Sequence, residues 1–422
     1  MFLGPEDVNL ILDAGIYEKM AALPAYEEVD EVMIHYTVTQ DCPFNCRGCI
    51  NALTAGKGNS GRSEAFAGKD KERNLERDLL GIGRLIKDSG KKAAVIVYYG
   101  GEPMLRLDPM SHLYRVLPEI VGDSATLKHM VITSGHFLEK AIRENPDLIS
   151  GMWVTALSID GNEAQHDAVR RGTSLKKIRG QVEALNQVRK GEVLIWATLR
   201  PEMSLWDCFD SFMYFRKRGE AEHFFWHCDE GEGMIPDLPR YLATYRRDLE
   251  KIMGVYLEYM KRGDLLSLIH VNELLLYLFT GKRRGTTACA VERMENFDII
   301  GDGKVHACAD LPEAMSIGRI LDSGEIVFEE DAKAKLQQMV SYKTDLGCSG
   351  CGIEPYCGGR CPVQANTGGL GRARQYCFMM REYVKTIKEH AGSIADLMGA
   401  RGITPGDLYR SAHLTKFADV TP

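Results

Sequence analysis

Seven of the twelve cysteines fall within residues 289–422, and three more, Cys42, Cys46 and Cys49, sit together near the amino terminus. Thiols packed this densely are either cross-linked or bound to metal, and that choice constrains the fold more than any apolar pattern does. The opening stretch, MFLGPEDVNLILDAGIYEKM, has no basic segment leading into an apolar run, so no secretory signal is visible. A disulfide framework is not expected in a reducing compartment, which leaves metal as the use for the thiols and the cytoplasm as the expected location. The formal net charge of −7, with both signs spread along the chain, argues against a general nucleic-acid binder. The longest apolar stretch, Leu265 to Phe279, is interrupted by His270, Asn272 and Glu273, so no membrane span is expected.

Residues 32–235 alternate between short β-rich runs and amphipathic segments. The β-like runs are Val32–Val38, Ala94–Tyr99, His129–Thr133, Trp153–Ile159, Val193–Leu199 and His223–His227. Helical patterns lie between them at Leu75–Lys87, Met110–Ile120, Glu139–Ile149, Leu175–Val188 and Leu205–Arg218. This alternation predicts βαβ units on a parallel sheet. Six units are too few for a closed eight-stranded barrel, and a partial barrel or an open doubly wound sheet both fit. In either, ligands sit at the carboxyl ends of the strands. Residues 1–31 form an extension, 236–285 bridging helices ending in the linker Gly281-Lys-Arg-Arg-Gly285, 286–385 a Cys-rich domain, and 386–422 a helical tail. Within the tail, Thr404-Pro405-Gly-Asp407 reads as the start of a capped surface helix.

The first cysteines read C-x3-C-x2-C, on a loop after the first predicted strand. Three thiolates there can hold three irons of a [4Fe–4S] cube and leave the fourth open, whereas zinc usually wants a fourth protein ligand. Strand two ends in Tyr99-Gly100-Gly101-Glu102-Pro103, strand three in Ile132-Thr133-Ser134-Gly135, and strand four in Leu157-Ser158-Ile159-Asp160-Gly161, followed by His166, Asp167, Arg170 and Arg171. Taken in this order, at one end of successive strands, these stretches resemble the radical S-adenosylmethionine superfamily, in its peptide- and protein-maturing branch. The resemblance implies an α/β fold, a partial (β/α)6 TIM-like barrel followed by a small Cys-rich iron–sulfur domain. It implies that Cys42, Cys46 and Cys49 hold the catalytic cluster, and that Gly100, Gly101 and Glu102 receive the methionyl amine of the cofactor. It also implies that Ser134 lies near the cofactor and that Ser158 meets its ribose or carboxylate. Arg170 is the expected carboxylate partner, with Arg171 and Arg179 competing for the role. One departure stands out: the residue before the third cysteine, usually aromatic and lying against the adenine, is Gly48. The adenine is then expected against another group, such as Phe225 or Trp226 of strand six.

The carboxyl-terminal cysteines, Cys289, Cys308, Cys348, Cys351, Cys357, Cys361 and Cys377, are similar in spacing to the SPASM extension of the same superfamily, which binds up to two auxiliary [4Fe–4S] clusters. By that resemblance Cys289, Cys308 and Cys361 hold one auxiliary cluster, and Cys348, Cys351, Cys357 and Cys377 hold the other. The first of these lacks a fourth thiolate, because the position of the upstream cysteine some relatives carry is Arg283 here. That leaves an iron with an open position, or one held by a non-cysteine group such as His306 or Asp310, and an open iron would suit binding of a substrate thiol. Cys208 reads as a small buried residue, while Cys228 follows strand six near the catalytic face.

The implied cofactors are S-adenosylmethionine and three [4Fe–4S] clusters, and the implied reaction is oxidation of a peptide or protein substrate to a thioether, a carbon–carbon crosslink or a related product. An electron donor such as flavodoxin or ferredoxin is expected. About 31 residues precede strand one, too few for a leader-binding module, so leader recognition would fall to a separate protein or the substrate bears no leader. Formylglycine formation in the manner of the anaerobic sulfatase maturases is an alternative, although Ala309 rather than an aspartate follows Cys308 and the acid comes one later, at Asp310. Modification of a small metabolite or tetrapyrrole is another, and a zinc-stabilised binding module without catalytic activity is the reading from a different class.

Overall fold

Each β-rich run forms a strand. In the structure, a computed structural model that describes residues 8–51, 73–229, 233–311 and 313–415, these are β1 (Glu31–Thr39), β2 (Ala93–Gly100), β3 (Thr126–Thr133), β4 (Val154–Ser158), β5 (Glu192–Leu199) and β6 (His223–Cys228). All are parallel and neighbour one another in chain order. A doubly wound sheet would reverse its order partway, and this one does not. Side chains alternate between two faces. Met33, Val95, Val97, Met130, Val154, Ala156, Leu194 and Phe225 come from all six strands and form one connected cluster on the inner face of the sheet. The opposite residues, such as Ile34, Ile96 and Trp226, pack into the core shared with the helices.

The crossover helices largely follow the expected spans, with one break. The segment expected as a single helix over Glu139–Ile149 is two, Leu138–Glu144 and Pro146–Ser150. The ring of Pro146 pushes Asn145 out of the helical region, to φ −143°.

The Cys-rich segment does not build a sheet of its own. After the two-residue strand β7 (Ser267–Leu268), β8 (Asn296–Ile299) pairs in parallel with the free side of β1. Strands β9 (Lys304–His306), β10 (Gly318–Ile320) and β11 (Ile326–Phe328) continue it as an antiparallel meander. An apolar core runs into this region. The helix Gly369–Arg401 runs unbroken through the boundary expected at 385–386 and buries Tyr376, Met379, Met380, Tyr383, Val384 and Ile387. Those residues recur at helical spacing, and a continuous apolar stripe carries the helix past the last cysteine.

The described part of the tail is a plug rather than a surface helix. Thr404 and Asp407 form a reciprocal capping box at the start of helix Pro405–Ala412. Leu408 is fully buried, Ser411 accepts from Asn272 at 2.6 Å, and Leu414 enters the inner cluster at the amino-terminal end of the strands. Residues 1–7 and 416–422 of the expected extension and tail lie outside the described residues. Leu408→Ala is expected to cost about 2–5 kcal/mol and Thr404→Ala about 1 kcal/mol, read from denaturant unfolding of the purified chain.

Candidate functional site at the carboxyl ends of the strands

The loop carrying Cys42, Cys46 and Cys49 is pinned from below. Cys46 forms an antiparallel bridge with Arg170, the Arg47 amide donates to the Val169 carbonyl at 2.9 Å, and Arg200 Nε donates to the Arg47 carbonyl at 2.8 Å. Arg170 and Arg200 both close on Asp160. The contacts are Arg170 Nε to Oδ2 at 2.7 Å, Arg170 Nη2 to Oδ1 at 3.0 Å and Arg200 Nη1 to Oδ2 at 2.8 Å. The Thr198 amide donates a fourth bond to Asp160 Oδ1 at 2.8 Å. Asp160 is wholly buried. Burial alone opposes its charge, but Arg170 and Arg200 outweigh it and hold the carboxyl well below the usual range. His166 is structural: its Nδ1 accepts from the Asp160 amide at 3.1 Å, while Nε2 faces Thr173 Oγ1 at 3.0 Å. Burial pushes its pKa down to about 4.

Glu102 joins two strand ends. Its Oε1 accepts from Thr133 Oγ1 at 2.5 Å and from the Met104 amide at 3.2 Å. Its Oε2 accepts from Ser134 Oγ at 2.5 Å and from the Ser134 amide at 2.9 Å. The carboxylate's four lone-pair directions are therefore spent on tying the end of β2 to the end of β3. Close packing explains both glycines before Glu102, most plainly Gly101. A Cβ there would stand 2.0 Å from the Asp41 carbonyl oxygen, so only glycine lets this turn lie against the cysteine loop.

Together these elements enclose a cavity of about 200 Å³. It is lined by Cys42, Cys46 and Cys49, by Gly100, Gly101, Glu102, Ser134, Ser158 and Arg170, and by Cys308 and Cys361 from the Cys-rich segment. Its remaining wall includes His35, Phe44, Asn51, Tyr99, Ile132, Trp196, Thr198, Arg200, His227 and Asp310. Few of these were singled out by motif, yet strand alternation identifies several: His35, Tyr99, Ile132, Trp196 and His227 are inward positions near the carboxyl ends of their strands. The same alternation removes both aromatics expected against an adenine. Trp226 points outward into the helix layer, and Phe225 lies one pleat deeper in the inner core. Trp196, Phe44 and Tyr99 are the aromatic walls instead.

Gly48 has two causes. Its φ is +66°, and a Cβ would lie 3.1 Å from Asp229 Oδ2. Asp229 is gripped by the carboxyl-terminal half, with Arg372 Nη2 donating to Oδ1 at 2.7 Å and the Tyr376 hydroxyl to its carbonyl at 2.6 Å. Across the cavity, the Tyr99 hydroxyl donates to Asp310 Oδ1 at 2.8 Å and Asn51 Nδ2 reaches Tyr99 at 3.3 Å. Beside them Thr37 Oγ1 donates to buried Asp298 at 3.0 Å. Burial pushes the Asp298 carboxyl up to about 7, with Asp310 adding to the rise and the Thr37 bond opposing it.

The remaining cysteines divide by cavity. Cys348, Cys351, Cys357 and Cys377 line a second cavity of about 400 Å³, with Arg360 and Arg381. Burial pushes the Cys377 thiol up to about 11, and Arg360 and Arg381 oppose that rise. Cys289 is buried at the floor of a third cavity, next to Met33 and Asn296, and His306 is buried on β9. Cys208 is fully buried against Gln165. Among the described residues no three His, Cys, Asp or Glu side chains converge on a single-ion position, and no helix is long and apolar enough to cross a membrane.

A family model described as a 4Fe-4S single cluster domain matches residues 32–180. No curated protein matches the sequence. Among solved structures, anSMEcpe, an anaerobic sulfatase-maturating enzyme with bound AdoMet, is 15% identical with a TM-score of 0.64, covering 87% of this chain and 99% of that one. The same enzyme with AdoMet and the Cp18Cys peptide gives 16% identity and a TM-score of 0.66, again over 87% and 99%. SuiB of Streptococcus suis bound to S-adenosylmethionine gives 14% identity and a TM-score of 0.53, over 81% of this chain and 74% of that one. The chain therefore has the fold of these S-adenosylmethionine-binding structures.

Asp160→Asn is expected to destabilise the protein by about 3–5 kcal/mol, because two buried guanidiniums lose their shared anion; chemical denaturation measures it. Asp298 acts in the opposite sense. The folded state keeps its proton up to about pH 7 while the unfolded state releases it near 4, so its contribution falls as pH rises between them. The difference in stability between wild type and Asp298→Asn is expected to change by about 1.4 kcal/mol per pH unit across that window and to level off above it.

Proposed function

We propose that this chain is a radical S-adenosylmethionine enzyme that oxidatively modifies a peptide or protein, built on a partial (β/α)6 barrel with two auxiliary iron–sulfur sites in a SPASM-like extension. The observation that carries this reading is the shared cavity. Cys42, Cys46 and Cys49 face the same space as Cys308 and Cys361, which lie more than 250 residues further along the chain.

The residues present fit the groups implied. Three thiols at the first loop leave one iron of a cube for a cofactor, and the backbone turn at Gly101 leaves room for nothing larger than hydrogen. Cys348, Cys351, Cys357 and Cys377 lining one cavity supports a four-thiolate site, and Cys361 siding with Cys308 supports the pairing of those two in the interleaved division, while Cys289 lines a separate cavity. When bound, cluster and S-adenosylmethionine supply one-electron cleavage of the cofactor to methionine and a 5′-deoxyadenosyl radical that removes a substrate hydrogen atom.

The protein's own part is positional. Main-chain oxygens around Gly100 and Gly101 would take the methionyl ammonium, since the Glu102 carboxylate is committed to Thr133 and Ser134. The hydroxyls of Ser134 and Ser158 and the exposed edge of Arg170 would orient ribose and carboxylate. Ile132, Trp196 and Phe44 exclude water from the space between. Tyr99 holds the Asp310 carboxylate toward the cavity, beside Cys308, which favours Asp310 over His306 as a group meeting an open auxiliary iron or the substrate. An electron donor such as flavodoxin or ferredoxin, and a separate leader-binding protein for a leader-bearing substrate, complete the reading.

Formylglycine formation is the second reading. It is favoured by the overlap with anSMEcpe carrying the Cp18Cys peptide and by the entry of Asp310 into the cavity despite its shifted position. Anaerobic reconstitution is expected to give brown protein with about twelve irons per chain, and to form 5′-deoxyadenosine with reductant. Cys42→Ala is expected to abolish that product. A colourless, zinc-loaded protein would overturn the proposal. With a candidate peptide, loss of two hydrogens without an aldehyde supports crosslinking, whereas an aldehyde trapped by hydroxylamine supports formylglycine.

A further inference from the structure

The segment Cys357-Gly358-Gly359-Arg360-Cys361 joins two cysteines that face different cavities. Three successive residues in it are left-handed, Gly358 at φ +66°, Gly359 at +92° and Arg360 at +77°. Glycine takes this conformation freely, but an arginine does so at a cost, and the surroundings must hold it there.

They hold it inward. Arg360 is only 2% exposed. Its Nη2 donates to Gln364 Oε1 at 3.0 Å, and its guanidinium carbon lies 5.0 Å from the ring centre of Tyr376, the residue before Cys377. The side chain lines the cavity of Cys348, Cys351, Cys357 and Cys377. A second guanidinium meets the same cavity from nearer the surface, with Arg381 Nη2 3.8 Å from Cys351 Sγ.

A positive charge fixed in a poorly solvated site favours the reduced, more negative state of a nearby cluster. We propose that Arg360 is a tuning residue, whose buried charge raises the reduction potential of the cluster held by Cys348, Cys351, Cys357 and Cys377 and so biases electrons toward that cavity. This rests on the proposed function only in that the cavity holds a cube.

The test is a redox titration followed by electron paramagnetic resonance on the reconstituted full chain, with Cys42, Cys46 and Cys49 replaced by alanine to remove the first cluster's signal. Arg360→Gln is expected to lower the reduced-to-oxidised ratio at fixed ambient potential about tenfold, which is about 59 mV for a one-electron couple. Arg360→Lys, which keeps the charge, is expected to stay near the parent, and Arg381→Gln to shift the same way by less because water screens it. Iron counts accompany each variant. A retained cube with an unmoved potential in Arg360→Gln overturns the proposal, as does an equal fall in Arg360→Lys and Arg360→Gln. Should Arg360→Gln lose its iron, an unmoved Arg381→Gln beside a shifted Arg360→Lys overturns it. If Cys348→Ala and Cys377→Ala lose no iron, the cavity holds no cube, and that result overturns the cluster assignment together with this proposal.

Discussion

One buried carboxylate organises the open end of the strands. Asp160 sits between Arg170 and Arg200, and each arginine in turn grips the loop of Cys42, Cys46 and Cys49, Arg170 through the bridge to Cys46 and Arg200 through the Arg47 carbonyl. A carboxylate without solvent is tolerable only when its neighbours supply the charge and hydrogen bonds that water would have given. Here those same neighbours position the thiols. The loop's geometry is thus set by an ion cluster beneath it rather than by its own short sequence.

The two halves of the chain depend on each other at this end. β8 extends the sheet from β1, so Cys308 and Asp310 reach the cavity on the continuation of the same framework that presents Tyr99 and His35. The long helix Gly369–Arg401 sends Arg372 and Tyr376 back to Asp229, which lies directly against Gly48. An aromatic residue at 48 would meet both a left-handed backbone and this carboxylate. The departure from the resembled pattern at that position has a local steric cause, and Trp196 and Phe44 supply aromatic surface from other walls.

Much of the fold was readable because its signals are local. The six strands, the helix at Leu175–Val188 and the start of the tail helix at Thr404 each follow from residue periodicity or a cap. Less readable was any side chain whose partner lies far away in the chain. Glu102 read as a ligand for an ammonium, and its bonds to the hydroxyls of Thr133 and Ser134 were not legible in the motif. Arg200 carried no motif, although an arginine between an apolar strand and Pro201 at the carboxyl end of β5 was a usable cue. The break at Asn145 was written in the proline that follows it.

The sequence alone determined which atoms are available and in what order: ten cysteines in ligand-like spacing, a strand–helix alternation, and glycines where a turn must lie flat. Their division among cavities was a tertiary matter. Cys357 and Cys361 are separated by three residues, yet they face different spaces, because three consecutive left-handed residues reverse the chain between them. Spacing limits how far apart two thiols can be. Which way each one points depends on backbone handedness and on the buried charges packed around it.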